Sequence, residues 1–417
     1  MIIRAAWVCP VAAEPIRDGW VAVERDRIVD FGAWPPGSSP RAAADVHLAD
    51  CILTPGFVNP HTHLELTCYA GRIAPAPFWP WVATLLALRR EPGQAQREHD
   101  AAIDGAWRSL GAGVTSVGDI SRLNVAWRAL KPVPIRKVCF VELLTIADQP
   151  PRTLDELKAA VEAVEEDALL TVGVSPHASY SVPLREAMEA VAYAARIARP
   201  WTMHLAELPE EMDFLAGRAH ATPAAIRELM IRGGVESPRI RPGEYARRLA
   251  DAGGRGSIAH GNYLDSADTR HMASSGVTTI YCPGAHAFFG HPPHPLRQLS
   301  EAGAPIAIGT DSLASHVGDR LSILDEIRRA RRTTGLSLSA GDWLRLGTAG
   351  GAEVLGLTEV TGTIERGKAA DLAAFRIDRA AGSAPITDPV SALLDEDGPT
   401  DAAWVMVGGC IVRINER

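Results

Sequence analysis

Short apolar runs alternate with helix-like segments through the middle of the chain. Segments 154–167 and 183–198 are two of the helix-like stretches. Strands that alternate with helices pair in parallel through right-handed crossovers. Eight such units over about 255 residues favour a closed (β/α)8 barrel over an open doubly wound sheet, since no glycine-rich phosphate-binding motif accompanies them. The runs are ILTPGFVNP, VTSVGD, KVCFVEL, LLTVGVSP, WTMHLAE, SIAHG, VTTIYCP and PIAIGTD.

The two ends of the chain differ from the middle and read as strands and turns. DGWVAVERDRIVDFG, near the start, alternates apolar and charged residues and stops at a glycine. GTIERGKAADLAAFRID and AAWVMVGGCIVRI, near the other end, have the same character. Alternation of this kind is typical of half-buried strands. Within the middle, the stretches 238–245 and 283–295 are predicted to be loops, because both are rich in turn-forming residues.

Composition limits the classes of function. The 417 residues are 47% hydrophobic and 22% charged, as expected for a soluble globular protein. A net charge of -8 without basic runs helps solubility and argues against nucleic acid as a partner. The six cysteines are scattered, without a CxxC pair, which favours the cytoplasm. The first residues hold only a short apolar run, so we expect neither a signal peptide nor a membrane span.

Polar side chains stand at the ends of most of the apolar runs. The active sites of (β/α)8 enzymes lie at the carboxyl ends of their strands. Residues able to bind a metal or carry protons therefore recur where this fold places its chemistry. They are His61, His63, Asp119, Glu142, His177, His204, Glu207, His260 and Asp311.

Four of these residues are candidate metal ligands. His61 and His63 are two apart, so on a strand both imidazoles point to the same side and reach one ion. His204 is either a third nitrogen ligand or a hydrogen-bonded structural histidine at a strand end. Asp311 is either the N-cap of the next helix or a carboxylate that binds the ion and accepts a proton. Three imidazoles and a carboxylate would leave positions open for water.

Two further residues are candidates for proton transfer. Glu207 is either a first-turn glutamate favoured by the helix dipole or the general acid and base beside a metal-bound water. His260 is either a buried core histidine or a group that polarises the substrate or orients the attacking hydroxide. His63-Leu64-Glu65 matches half of the motif of cytidine-type zinc deaminases, but the second half, PCxxC, is absent. The serine-hydrolase elbow GxSxG and the metalloprotease motif HExxH are also absent.

In combination, these motifs resemble the amidohydrolase superfamily over nearly the whole chain. PGFVNPHTHLE, SPHASYSV, MHLAE, AHGNYLD and GTDSLAS follow one another in the order that this family has. The tail GTIERGKAADLAAF is similar to the returning strands of the small β-sandwich that the superfamily builds from both termini. The resemblance implies an α/β fold, with a (β/α)8 TIM-type barrel over residues 55–355. Residues 1–54 and 356–417 would form the β-sandwich domain.

The resemblance also indicates how many metal ions to expect. Binuclear members usually carry a carboxylated lysine at the end of the fourth strand, where this chain has SPHASY. This departure points to the mononuclear branch, with one divalent ion per chain. Zinc is the first choice, and nitrogen and oxygen ligands also accept iron or manganese. The implied ligands are His61, His63, His204 and Asp311.

Within that branch the chain resembles the deaminase and chlorohydrolase group, and most of all the 6-aminodeoxyfutalosine deaminases of menaquinone synthesis. NPHTHLELT, FWPWV and YCPGAHAFFGHPPHPL carry this likeness. It implies that a 6-aminopurine nucleoside loses ammonia by hydrolysis. Glu207 would shuttle protons, Asp311 would take the proton of the water, and His260 would stabilise the tetrahedral intermediate. Chlorohydrolysis or amide hydrolysis at the same site stays open, as does a non-catalytic scaffold.

Substrate contacts are expected around the mouth of the barrel. Phe78, Trp79 and Trp81 follow the first strand and either wall the pocket or belong to the core. Stretch 283–295 either contacts the substrate or is a surface loop with incidental histidines. The oligomeric state stays open, with a homodimer as one option. The candidate substrate-binding residues are Phe78, Trp81, Glu142, His177 and His286.

Overall fold

The structure is a computed structural model that describes residues 1–35, 45–121, 126–147, 149–218, 221–377 and 386–414. Within these ranges the strands form two sheets, one of seven strands and one of eight. The strands are β1 (Ile2–Val8), β2 (Ile16–Glu24), β3 (Arg27–Ala33), β4 (Val46–Pro55), β5 (Phe57–Thr62), β6 (Val114–Ile120), β7 (Arg136–Leu143), β8 (Leu170–Pro176), β9 (Trp201–Leu205), β10 (Gly256–His260), β11 (Thr278–Tyr281), β12 (Ile306–Ile308), β13 (Leu372–Arg376), β14 (Trp404–Val407) and β15 (Cys410–Ile414).

Helices fill the intervals between the strands of the eight-stranded sheet. Two short 3-10 helices, Leu64–Tyr69 and Leu313–Ser315, follow β5 and β12. Among the described helices, none has the length and apolar character that a membrane crossing needs. The α-helices are α1 (Phe78–Leu88), α2 (Gln94–Gly111), α3 (Ala126–Leu130), α4 (Leu154–Glu162), α5 (Leu184–Arg196), α6 (Pro209–Leu215), α7 (Ala224–Arg232), α8 (Pro242–Ala252), α9 (Ser266–Ser275), α10 (Pro283–Phe289), α11 (Leu296–Glu301), α12 (Ile323–Thr334), α13 (Ala340–Leu346), α14 (Ala349–Val354) and α15 (Pro389–Leu394).

The eight-stranded sheet is the predicted barrel. Strands β5 to β12 are hydrogen-bonded to one another in chain order and are parallel throughout. The first strand meets the last where Thr62 bridges Asp311, and the Asp311 amide donates to the His61 carbonyl over 3.1 Å. The (β/α)8 prediction is therefore confirmed. Closure brings the carboxyl ends of all eight strands to one mouth.

The seven-stranded sheet joins the two ends of the chain, as the resemblance implied. Its order is β15-β14-β13-β4-β1-β2-β3, so β4 lies between a strand from the start and one from the far end. Arg136 at the base of β7 connects the barrel to this sheet through a buried ion pair. Its Nε lies 2.7 Å from Oδ2 of Asp371, and its Nη2 lies 3.1 Å from Oδ1. The residue limits given above for the domains stay a prediction.

Three local predictions need correction. The run ILTPGFVNP belongs to two sheets, because it divides at Gly56 between β4 and β5. An added Cβ at Gly56 would lie 2.0 Å from Oγ1 of Thr115, so only glycine fits at this crossing. The predicted loops 238–245 and 283–295 each contain a helix start, at Pro242 and Pro283. Proline suits the first turn of a helix, since its φ is preset and its missing N–H is not needed there.

Candidate active site

Three strands end in backbone that is strained at the mouth of the barrel. Ala206 after β9, His260 at the end of β10 and Asp311 after β12 have φ values of 55°, 75° and 58°. Residues other than glycine rarely adopt this left-handed backbone conformation, and they keep it only where the surrounding structure stabilises it. Such positions are concentrated at functional sites. The strained residues lie at the same strand ends as the candidate residues that were predicted from the sequence.

The predicted metal ligands lie together at this mouth. Nε2 of His63 is 3.3 Å from Nε2 of His204 and 3.6 Å from Oδ1 of Asp311. Nε2 of His61 is 3.8 Å from the same Asp311 oxygen. Two donor atoms that each lie about 2.1 Å from a tetrahedral zinc ion are roughly 3.4 Å apart. The spacing of these four side chains therefore fits a single ion.

Backbone carbonyls hold two of the imidazoles in the form that binds metal. Nδ1 of His63 donates to the Ile120 carbonyl over 2.9 Å, and Nδ1 of His204 donates to the His177 carbonyl over 3.0 Å. In a neutral ring, a proton on Nδ1 leaves the lone pair on Nε2. Burial, and for His63 also the neighbouring His204, lowers the pKa of His63 to about 3, while burial lowers that of His204 to about 4. Both rings are therefore neutral at pH 7.

His61 supplies the strongest sign that a cation belongs here. Its side chain is fully buried, and neither ring nitrogen has a hydrogen-bond partner among the described residues. Burial, followed by the nearby His204, lowers its pKa well below the usual range. A buried polar atom without a partner is costly, and here a metal ion would satisfy it. The Nε2 lone pairs of His63 and His204 also face each other, and a cation between them would remove their repulsion.

Asp311 is held by its own loop. Its Oδ2 accepts a hydrogen bond from Oγ of Ser315 over 2.8 Å, which leaves Oδ1 directed toward His61 and His63. Burial raises the Asp311 pKa to about 6, although the Ser315 bond opposes this shift. The arrangement separates the two oxygens into one that is anchored and one that faces the ligand cluster.

Glu207 faces His260 from the other side of the cluster. Its Oε1 lies 3.6 Å from Nε2 of His260. Burial, together with the carboxylates of Asp311 and Glu211, raises the Glu207 pKa well above its usual range. The Glu207 amide donates to Oε2 of Glu211 over 2.9 Å, and Oγ of Ser179 donates to the other oxygen over 2.6 Å. Glu211 therefore fixes the backbone that carries Glu207.

A second group of possible ligands shares one member with the first. Glu142, His177 and His204 offer ligand atoms within 4.8 Å of one another. His204 has only its Nε2 lone pair to give, because Nδ1 faces a carbonyl. One nitrogen lone pair binds one ion, so both groups cannot be complete at once. The geometry fits one ion per chain, which agrees with the missing strand-four lysine.

His63, His204 and Asp311 of the cluster, together with Glu207 and His260, line a cavity of about 590 Å³. Trp81 is anchored in the wall by a hydrogen bond of 3.1 Å from its Nε1 to the Ala314 carbonyl. His286 is not among the lining residues, and its Nε2 instead contacts the Pro292 carbonyl over 2.9 Å. The lining includes the aromatic rings of Phe78, Trp79, Trp81, Tyr180 and Phe289 and the predicted contacts Glu142 and His177.

Sequence reasoning missed a charged network beside the first metal ligands. Arg89 forms ion pairs with Glu65, two residues after His63, and with Glu98, whose Oε1 lies 2.9 Å from the Arg89 Nε. Asp119, at the end of β6, accepts the Leu64 amide over 2.8 Å. Both contacts fix the turn that follows His63. The one signal in the sequence is Glu65, two residues after the HxH pair, and its partner Arg89 is 24 residues further along.

Fold and site together define a class of protein, a TIM-barrel protein with a cluster of histidine and aspartate side chains that could hold a metal ion at its mouth. Residues 52–411 match the model of the amidohydrolase family, and the chain belongs to this family. It is accordingly a hydrolase that acts on carbon–nitrogen bonds. This confirms the resemblance from which the site was predicted.

The chain is similar to a curated relative over its whole length, and two solved structures share its fold. The chain is 26% identical over 429 residues to the 5-methylthioadenosine/S-adenosylhomocysteine deaminase of Desulforudis audaxviator, covering 100% of this chain and 94% of the relative. An adenosine deaminase from Xanthomonas campestris with bound zinc superposes with a TM-score of 0.81 at 24% identity, covering 99% and 93% of the two chains. The aminofutalosine deaminase of Helicobacter pylori superposes with a TM-score of 0.82 at 23% identity, covering 99% and 100%.

Proposed function

We propose that the protein releases ammonia by hydrolysis from a 6-aminopurine nucleoside, with 6-aminodeoxyfutalosine of menaquinone synthesis as the leading candidate. The observation that carries the proposal is the pairing of one metal-ligand cluster with a protonatable carboxylate, Glu207, on its open side. The names of the similar deaminases support the same chemistry. The aromatic wall suits a flat purine ring, since ligand pockets are mostly apolar with a few placed polar groups.

Each residue of the site would have its own role in the reaction. His61, His63, His204 and Asp311 would hold a divalent ion, which would lower the pKa of a bound water so that the water could attack at neutral pH. Asp311, through Oδ1, accepts a proton from that water. Burial raises the Glu207 pKa, so its carboxyl group can give a proton to the ring nitrogen beside the attacked carbon. As the carbon–nitrogen bond breaks, the Glu207 carboxylate takes the proton of the new hydroxyl group and gives it to the departing amino group, which leaves as ammonia. His260 stabilises the charge that develops on the new oxygen.

Zinc is the metal that we propose, and iron or manganese are the alternatives that this ligand set also accepts. Glu142 and His177 are proposed contacts of the sugar side, because both line the cavity next to His204. His286 could reach a substrate only if the 283–295 segment moved. The cytoplasmic location and the homodimer stay predictions.

An ammonia-release assay tests the proposal. The panel contains adenosine, S-adenosylhomocysteine, methylthioadenosine and 6-aminodeoxyfutalosine, all followed by ammonia release. A chlorotriazine, followed by chloride release, and an amide, followed by release of its amine, represent the alternative chemistries. We expect ammonia from at least one nucleoside and the fastest turnover with 6-aminodeoxyfutalosine. Turnover of the chlorotriazine or amide alone would replace deamination by the alternative reaction. Absence of bound metal and of every turnover would support the scaffold hypothesis instead.

A further inference from the structure

The barrel closes between its first and last strands with little main-chain pairing. Strand β12 has only three residues, Ile306–Ile308, and in the described part of the chain it forms no ladder with β5. Their backbone pairing is confined to the bridge between Thr62 and Asp311, with the bond from the Asp311 amide to the His61 carbonyl. We call this junction of β5 with β12 the barrel seam. Side-chain hydrogen bonds therefore carry much of its closure.

The side chain of Asn59, on β5, crosses the barrel seam. Its Nδ2 donates to Oγ1 of Thr310 over 2.8 Å, and its Oδ1 accepts the Thr310 amide over 3.2 Å. The His61 amide also donates to Oδ1, over 3.4 Å. Asn59 and Thr310 are both fully buried. Because two amides point at one atom of the Asn59 side chain, that atom is the oxygen, and the direction of every bond in the set follows.

The hydroxyl of Thr310 extends this contact to the strained residue Asp311. Oγ1 of Thr310 and Oγ1 of Thr62 each donate to the Asp311 carbonyl over 3.0 Å. The Asp311 amide is bound to the His61 carbonyl, so the peptide groups on both sides of Asp311 are held. A left-handed residue keeps its conformation only when its surroundings fix it. These bonds explain how Asp311 keeps its φ of 58°.

His61 and Asp311, on the two sides of the barrel seam, are two of the four proposed metal ligands. Nε2 of His61 lies 3.8 Å from Oδ1 of Asp311. Ligand atoms must lie within about 0.2 Å of their ideal distances from an ion. A shift of β12 along β5 would change the separation of these two atoms directly, because each belongs to a different strand. The contacts across the barrel seam therefore set whether both side chains can reach one ion.

A buried hydrogen bond between strands can also stabilise a barrel without any effect on a metal site. Oγ of Ser257 donates to Oγ1 of Thr202 over 3.0 Å, and both residues are fully buried. They are the second residues of β10 and β9, at the ends of these strands that lie away from the mouth. This pair resembles Asn59 and Thr310 in burial and in joining two strands, but it does not hold the backbone of a proposed ligand.

We propose that Asn59 is a positioning residue of the metal site, which binds Thr310 across the barrel seam and thereby holds Asp311 in register with His61. Neither Asn59 nor Thr310 is among the residues that line the cavity, so their effect reaches the ion only through these two ligands. The proposal concerns metal binding alone and does not depend on which bond the enzyme hydrolyses.

Competition with a chelator for zinc tests the proposal. Asn59→Ala removes both contacts with Thr310, and Thr310→Val keeps the shape of the side chain without its hydroxyl group. Each should lower the zinc affinity of the folded protein about 10–100-fold, as groups behind metal ligands do. Thr310→Ser keeps the hydroxyl group and should retain most of the affinity. The double variant should lose less than the two separate losses combined, because both changes break the same contact.

Ser257→Ala is the matched control, and urea unfolding of the metal-free proteins measures stability separately. We expect both Ser257→Ala and Thr310→Val to unfold at lower urea concentrations, and only Thr310→Val to bind zinc more weakly. If Asn59→Ala does not fold, the comparison of Thr310→Val with Thr310→Ser decides. Unchanged zinc affinity in Thr310→Val, or an equal loss in Ser257→Ala, overturns the proposal. Absence of ammonia from every nucleoside would count against the proposed function and leave this result unaffected.

Discussion

The imidazole of His294 donates a hydrogen bond from Nε2 to the main-chain carbonyl of His260 over 2.8 Å. His294 is buried and stacks on the ring of Tyr281, with the ring centroids 3.9 Å apart. His260 has the largest positive φ, 75°, among the described residues other than glycine. A strained residue keeps such a conformation only when its neighbours fix it. His294 is therefore a positioning residue for His260.

Replacement of His294 by phenylalanine should impair turnover without removing the metal. The ring still fills its place on Tyr281, but the His260 carbonyl loses its donor, and a lost hydrogen bond costs about 1 kcal/mol. We expect kcat to fall roughly tenfold, with KM and bound metal nearly unchanged. His271→Phe on α9 is the control and should behave like the wild type. A loss of metal in His294→Phe would show a disrupted cluster rather than a displaced His260.

Glu207→Gln should abolish turnover and leave the metal in place. The amide keeps the size of the carboxyl group but cannot carry a proton, and general acid–base catalysis contributes about 100-fold or more. Steady-state kinetics with elemental analysis of the same sample measures both effects. Glu210→Gln, on the next turn, serves as the control and should retain full activity. If Glu207→Gln kept more than about a tenth of the wild-type kcat, another residue would be the shuttle.

The ligand cluster should hold one divalent ion per chain, and His61 should be essential for it. His61→Ala removes a buried nitrogen that no other group of the described residues satisfies. We expect metal affinity to fall by more than about 100-fold, because even groups behind the ligands contribute about 10–100-fold. Competition with a chelator measures the affinity, with His47→Ala on the exposed side of β4 as the control. Two ions per chain at full activity would refute the single-ion site.

The pair His316 and Glu326 should make stability depend on pH. Nε2 of His316 lies 2.9 Å from Oε1 of Glu326, and both side chains are buried. Burial opposes the charge on the imidazole, but Glu326 outweighs it and raises the His316 pKa. A raised pKa in the folded state means that the stabilisation is complete below the unfolded-state pKa of about 6.5 and is lost as pH rises through the folded value.

His316→Phe is the variant that tests this pair. Breaking a buried ion pair typically costs about 3 kcal/mol, so the variant should be less stable than the wild type by that amount at pH 6. The difference should shrink toward pH 9, as measured by urea unfolding at several pH values. His99→Phe, at a partly exposed histidine of α2, should show no such trend. A constant difference across the range would mean that packing, and not charge, explains the loss.

The ligand cluster could be predicted from sequence patterns because the barrel brings the carboxyl ends of its strands together. Once eight strand-like runs are recognised, their carboxyl ends must meet, and His61, His63, His204 and Asp311 stand at those ends. The same reasoning also selected Asp119, whose carboxylate instead binds the Leu64 amide. Position along a strand indicates which end a residue occupies. It does not tell whether the side chain turns into the cavity or toward the preceding loop.

The supporting residues were out of reach for a different reason. His294 acts on His260 from 34 residues away, and Arg89 balances a glutamate on another element. Such partners have no fixed spacing in sequence, because loops of variable length separate them. The helix starts at Pro242 and Pro283 were missed for a different reason. Proline at the first helical position was visible, but turn composition around it outweighed that signal.

The shared sheet has a consequence for how the chain is made. Strand β4 pairs with β1 on one side and with β13 on the other, although residues 56–371 are translated between β4 and β13. During synthesis on the ribosome, the edge of β4 that later pairs with β13 has no hydrogen-bonding partner until the last part of the chain emerges. Exposed edges are sites at which strands of other molecules add. The order of synthesis therefore leaves this edge available for such pairing until β13 has emerged, and a chaperone that covered it would protect the nascent protein.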